Sequence, residues 1–163
     1  KYYGVNICVV NFSPTLLSSQ IQSKLCVNPE LRDKSDSARY WRLRKIYMYH
    51  RRFFREDYGD DEFFMLSAFQ DRISGRPNEY LTGGTGLPTL IKWLETQADS
   101  NNCYVLSGRR KMQFLQPLLE YDAEHWIGMN QEHDFQHCAP DKNVFLPFPG
   151  TAYNLNFVME TEE

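Results

Sequence analysis

No uninterrupted apolar run in this sequence approaches the roughly 18 residues that a membrane-spanning helix needs. The opening "KYYGVNICVVNF" also lacks the order of a secretory leader, because Asn6 and Asn11 interrupt it. Cysteine is sparse: Cys8, Cys26, Cys103 and Cys138 stand far apart with no C-x-x-C pair, so a small disulfide-stapled secreted scaffold is not indicated. Reduced thiols inside a cell, in cytoplasm or nucleus, are the expectation. Positive charge is not in excess either. A net charge of −3 and a pI near 5.8 argue against a protein that coats nucleic acid or anionic membrane with its whole surface. Any basic function must be local. Internal repeats and low-complexity linkers are absent too, so nothing cuts the chain in two.

What is present fits one globular domain over 1–163: 163 residues with 42% apolar, 15% aromatic and 24% charged residues can bury a core without staples. Beginning on Lys1 rather than Met, the chain reads as a piece of a longer one. "YGVNICVVNF", Tyr3 to Phe12, is β-branched and apolar enough for a buried strand ended by Ser13-Pro14. Leu17, Ile21 and Leu25 at four-residue spacing predict a short helix. A helix over Leu87 to Gln97, with Pro88 in its first turn and Leu87, Leu90, Ile91 and Leu94 on one face, is the clearest pattern. "NCYVLS" predicts a short buried strand and "RRKMQFLQPLLEY" a helix broken at Pro117. The alternating Tyr153, Leu155, Phe157 and Met159 predict a last strand that returns to the first. These elements predict an α/β domain, a mixed sheet flanked by helices.

The most unusual stretch is "YWRLRKIYMYHRRFF", Tyr40 to Phe54, with five basic residues, six aromatic rings and no acid. Drawn as a helix, it places Leu43, Ile46, Tyr47, His50, Phe53 and Phe54 on one side. Arg44, Lys45, Arg51, Arg52 and Arg55 fall on the other, with Arg42 at the edge and Trp41 and Met48 amid the charges. A merely solvated face does not need a tryptophan. Guanidinium groups that fork onto phosphates beside a ring that stacks on a base are the equipment of single-stranded nucleic-acid binders. An acidic protein surface is the other partner this face suits. Against both stands the run "REDYGDDEFF", Arg55 to Phe64, whose acids could fold back and neutralise it.

Two further clusters carry chemistry. "SGRRK", Ser107 to Lys111, sits where the predicted strand gives way to the predicted helix, so Arg109, Arg110 and Lys111 with free helix-start N–H groups would suit an anion. His125, His133 and His137 crowd together with Cys138; on a helix the four-residue spacing of His133 and His137 suits two zinc ligands, and polar loop histidines are the alternative. With Asp141, that cluster would be the centre of a metal-dependent hydrolase or nuclease. "TGGTG", Thr82 to Gly86, lacks the Lys-Ser/Thr ending of a phosphate loop and reads as a helix-entry turn. The acids Glu56 to Glu62 lack calcium-loop spacing and read as a solvated turn.

"CVVNFSPT", Cys8 to Thr15, then "ISGRPNEYL", Ile73 to Leu81, and "YVLSGRRKMQFLQPLLE" after the Leu87 helix resemble, in order and spacing, proofreading-type exonucleases of the RNase H-like superfamily. Where that family places a carboxylate pair this chain has Asn11 and Ser13, and Met112 and Gln113 occupy the region of a further expected aspartate. His137 precedes Asp141 by four residues, one fewer than in the family. Two-metal phosphodiester cleavage needs carboxylates to hold its ions. The resemblance therefore implies an RNase H-like fold without activity, kept for binding. No resident cofactor is implied apart from the zinc alternative. The expected function is a non-catalytic module that binds RNA, single-stranded DNA or an acidic protein within an assembly. A structural domain that buries Trp126 and Phe148 against a partner chain is a third reading.

Overall fold

A computed structural model of the chain describes residues 1–27, 38–56, 58–75, 85–98, 102–115, 120–127 and 146–160. Its frame is a sheet of four strands in the order β1-β4-β2-β3: β1 Tyr2–Phe12, β2 Tyr104–Gly108, β3 Arg110–Gln113 and β4 Phe148–Glu160. The first and last strands pair along their whole length, from Tyr2 opposite Glu160 to Phe12 opposite Gly150, so the expected return of the closing strand is observed. All three pairings are antiparallel. The sheet is thus not the mixed one expected, although strands and helices do share one α/β architecture.

That difference traces to one turn. Ser107 pairs with Arg110 across the two-residue link Gly108-Arg109, which makes β2 and β3 a hairpin where a strand-to-helix junction was expected. Gly108 has φ +61°, the first-position requirement of a type II′ hairpin turn, and an added Cβ there would meet Leu16 Cδ1 at 2.8 Å. Beyond the turn, Arg110 and Met112 face the same side as Ser107 and Val105, a period of two. Pro117, expected to break a helix, lies outside the described residues.

Among the described residues four α-helices accompany the sheet: α1 Leu17–Val27, α2 Ala38–His50, α3 Asp60–Ser67 and α4 Gly86–Gln97. α1 buries the predicted Ile21 and Leu25, and α4 buries Ile91 and Leu94 with Leu87 and Leu90 against the core. The acid run is the first turn of α3, where Asp60, Asp61 and Glu62 complement the positive end of the helix dipole. Glu62 also accepts the Gly59 N–H at 2.8 Å, satisfying one orphan donor of the helix start. For Asp60, Asp61 and Glu62 a solvated turn was therefore the wrong reading, whereas Glu56 does lie exposed in the turn before α3 and Asp57 lies outside the described residues.

The core lies between the helices and one face of the sheet, where Val105 and Leu155 meet Phe63, Phe64, Phe69, Leu25 and Leu43. Strand β1 departs from expectation: it is a strand, but an edge one, and exposed along nearly all of its length. The described part of the chain contains no helix long and apolar enough to cross a membrane. No disulfide joins Cys8, Cys26 and Cys103.

Candidate functional site

The basic aromatic segment is α-helical through His50, as its wheel required, and continues as a 3₁₀ turn over Arg51–Phe53, with Phe54 and Arg55 beyond the helix. α2 buries Tyr40, Leu43, Ile46, Tyr47 and His50. Ring packing fixes that inner face: the Tyr47 ring lies 5.2 Å from Phe63 and 4.9 Å from Phe64, and His50 Nδ1 is 2.7 Å from the Tyr58 hydroxyl. Tyr40 adds a polar anchor, donating to the Ser74 carbonyl at 3.1 Å and accepting the Ser74 N–H at 2.9 Å. A helix held this firmly presents its outer face with little freedom to rotate.

On that outer face Trp41 is 42% exposed and Met48 54% exposed. Lys45 is exposed with its Nζ 4.1 Å from the centre of the Trp41 ring. Trp41, Lys45, Met48 and Arg52 succeed one another at spacings of four, three and four, one stripe along the helix and the 3₁₀ turn Arg51–Phe53 that extends it. Arg44 flanks the stripe half-buried, and Arg51 and Arg52 are exposed with their guanidinium carbons 5.6 Å from the Tyr47 and Tyr49 rings. Arg55 is exposed and begins a tight turn, its N–H donating to the Tyr58 carbonyl at 2.8 Å.

The acids that follow reach this face only at its margin. Asp60 accepts from the Tyr47 hydroxyl at 2.7 Å, and burial, followed by this hydrogen bond, raises the Tyr47 pKa well above the ordinary phenol value. Desolvation, then Asp60, raises the Cys26 thiol, while Arg44, a hydrogen bond with Tyr47 and Arg51 pull it down, so these groups share one neighbourhood. Asp61 and Glu62 point elsewhere, to Arg110. Among the described residues no acid forms an ion pair with Arg44, Lys45, Arg51 or Arg52.

Arg42, expected at the edge of the face, is engaged inside the molecule. It pairs with Glu124, which raises its own pKa and lowers that of Glu124. Its neighbour Arg39, which no local pattern singles out, donates to the carbonyls of Glu124 at 3.0 Å and His125 at 2.7 Å and lies 4.3 Å over the Trp126 ring. Burial lowers the Arg39 pKa. The two arginines clamp 120–127 against α2, and Gln70 completes the attachment by exchanging hydrogen bonds of 2.8 and 2.9 Å with the Ile127 backbone. Trp126 is buried in its own chain, so it is not the interface ring expected of a structural dimer, whereas Phe148 is half-buried against Phe12 at 5.5 Å.

The anion site proposed at Ser107 to Lys111 loses its premise with the hairpin. The Ser107 hydroxyl accepts the Leu17 N–H at 3.1 Å, serving the start of α1. Arg110 Nε lies 2.9 Å from Glu62 Oε1 and 3.7 Å from Asp61 Oδ2, and Lys111 sits 5.0 Å over the Tyr104 ring. Arg109 alone of the three is exposed. Of the metal candidates, His133, His137, Cys138 and Asp141 fall outside the described residues. His125 is exposed in a left-handed turn with φ +61°, and among the described residues no three His, Cys, Asp or Glu side chains gather as metal ligands. Thr82 also lies outside. An exposed Trp93 on α4, 56% accessible, is a feature the helical pattern of its neighbours concealed. Compared with known proteins, the sequence matches no family model, no characterised protein and no solved structure.

Proposed function

We propose that this protein is a non-catalytic module that binds single-stranded RNA or DNA along the outer face of α2. The observation that carries the reading is the exposure of Trp41 and Met48 between Arg44, Lys45, Arg51 and Arg52, on a helix whose opposite face is locked in the core. From Trp41 to Arg52 the stripe runs about 16 Å at 1.5 Å per residue, long enough for more than one phosphate. The basic groups would take the phosphates and Trp41 would take a base on its ring.

The internal partner of Trp41 does not preclude this. An exposed cation–π contact such as Lys45 on Trp41 is worth about 0.5–1 kcal/mol, whereas a base stacked on an aromatic side chain is worth about 1–3 kcal/mol. Stacking therefore outweighs the contact it displaces, and the released Lys45 remains available to the backbone. Arg42 and Arg110 are excluded from the binding set because their charges are already matched by Glu124 and Glu62. The resemblance to nuclease-like folds agrees in sense with binding without cleavage, and rests on segment order and the missing carboxylates at Asn11 and Ser13.

Fluorescence anisotropy of labelled oligouridylate and oligothymidylate tests the proposal. Binding should weaken steeply with added salt, and Arg44→Glu/Arg51→Glu/Arg52→Glu should abolish it while the circular dichroism spectrum is retained. Undiminished binding by the triple variant would sink the reading. Binding of an acidic polypeptide with neither oligonucleotide bound would assign the same face to an acidic protein instead.

A further inference from the structure

Strand β1 is an edge without the usual defences. Its eleven residues, "YYGVNICVVNF", contain no proline and no charge, and six apolar side chains stand open to solvent: Tyr2, Tyr3, Ile7, Val9, Val10 and Phe12. Folded proteins ordinarily blunt such edges with lysine, proline, bulges or brevity, because the unpaired N–H and C=O groups are a template for another strand. The opposite edge of this sheet is blunted in that way. β3 is only four residues long and carries Arg110 and Lys111.

We infer that β1 is the docking edge for β1 of a second copy of this chain, paired antiparallel about Ile7 to form one continuous eight-stranded sheet. The sequence is its own complement in that register. Ile7 meets Ile7, Val5 meets Val9, Asn6 meets Cys8, and Tyr2 meets Phe12, each pair on a common face because the offset preserves the two-residue period. No like charges are opposed, since the one nearby cation, Lys1, falls opposite Ser13. The arrangement is isologous, so it uses up the reactive edge of both copies and leaves only the blunted β3 edges outside. It closes at two rather than growing.

The size of the contact suits a reversible dimer. Two eleven-residue edges meet along about 36 Å and gain roughly ten main-chain hydrogen bonds, the number that a typical specific interface carries. Side chains of a paired edge stand above and below the sheet, so only their flanks toward the partner are covered, and the contact lies below the standard interface size, as suits a weak, reversible association. The pairing axis is perpendicular to the sheet, so both helix layers fall on the same side and the two α2 helices remain outside the contact.

Sedimentation equilibrium of the 163-residue chain across a micromolar concentration series tests this. The mass should move from monomer to dimer and stop there. Ile7→Lys, which sets two ammonium groups against each other on the axis, should raise the dimer dissociation constant at least about tenfold with an unchanged circular dichroism spectrum. Should that variant fail to fold, Val9→Lys, which sets an ammonium group against the partner's apolar Val5, should weaken the dimer in the same direction. A monomer at every concentration, or a dimer indifferent to these lysines, overturns the inference.

Discussion

Single residues divide here into those whose sequence neighbours reveal their role and those whose partners are far away in the chain. Trp41 and Met48 belong to the first group, because helical spacing alone puts them among the cations. Arg42 and Arg110 belong to the second. Their acids, Glu124 and Glu62, lie 82 and 48 positions away, and no local pattern announces such a pair. Removing one partner of a buried ion pair leaves the other desolvated and unmatched, which costs more than the pair contributes. Glu62 is buried beside a largely covered Arg110, so Arg110→Ala should destabilise the fold by about 3 kcal/mol in urea unfolding, with little change in oligonucleotide affinity. An affinity loss as large as that of the triple arginine reversal on α2 would return Arg110 to the binding face.

At the scale of elements, hydrophobic spacing predicts α1, α4, the buried face of α2 and the closing strand, and all four are present. It failed where a turn decided the outcome. Gly108 reads equally well as the end of a strand before a helix and as the first residue of a hairpin turn, and only the register of Val105 against Met112 separates the two. The acid run failed for a related reason: acids before aromatic residues look like a solvated turn unless the helix they begin is already known. Gly150 is a position where backbone geometry matters more than pattern. It has φ +145°, and a Cβ there would lie 2.0 Å from the Asn11 carbonyl oxygen, at the last pair of the β1–β4 ladder. Gly150→Ala should therefore cost about 3 kcal/mol or more, read as a shifted denaturation midpoint, whereas Gly86, with open space around it, should accept alanine nearly without effect. Equal tolerance at the two sites would contradict the strand pairing.

For the molecule as a whole, composition set the class and the local nature of any basic function, but it could not say which strands were edges. A β-branched run such as β1 has the same sequence whether it is covered on both sides or bare on one, and edge position depends on the order in which distant segments pair. The same holds for the outer face of α2, where the absence of an ion pair from the described acids to Arg44, Lys45, Arg51 and Arg52 depends on where Asp60, Asp61 and Glu62 come to rest. The proposed function and the inferred dimer use two separate surfaces: a charged aromatic helix face for a polyanion and a neutral strand edge for self-association. The proposed binding turns on Trp41 as a stacking platform. Of the three tryptophans Trp126 is buried, so in a Trp93→Phe background Trp41 is the one exposed indole. Titrating that variant with oligouridylate while following indole emission should give saturable quenching whose midpoint moves to higher concentration as salt is raised. Emission that stays unchanged through a titration in which anisotropy reports full binding would contradict the claim.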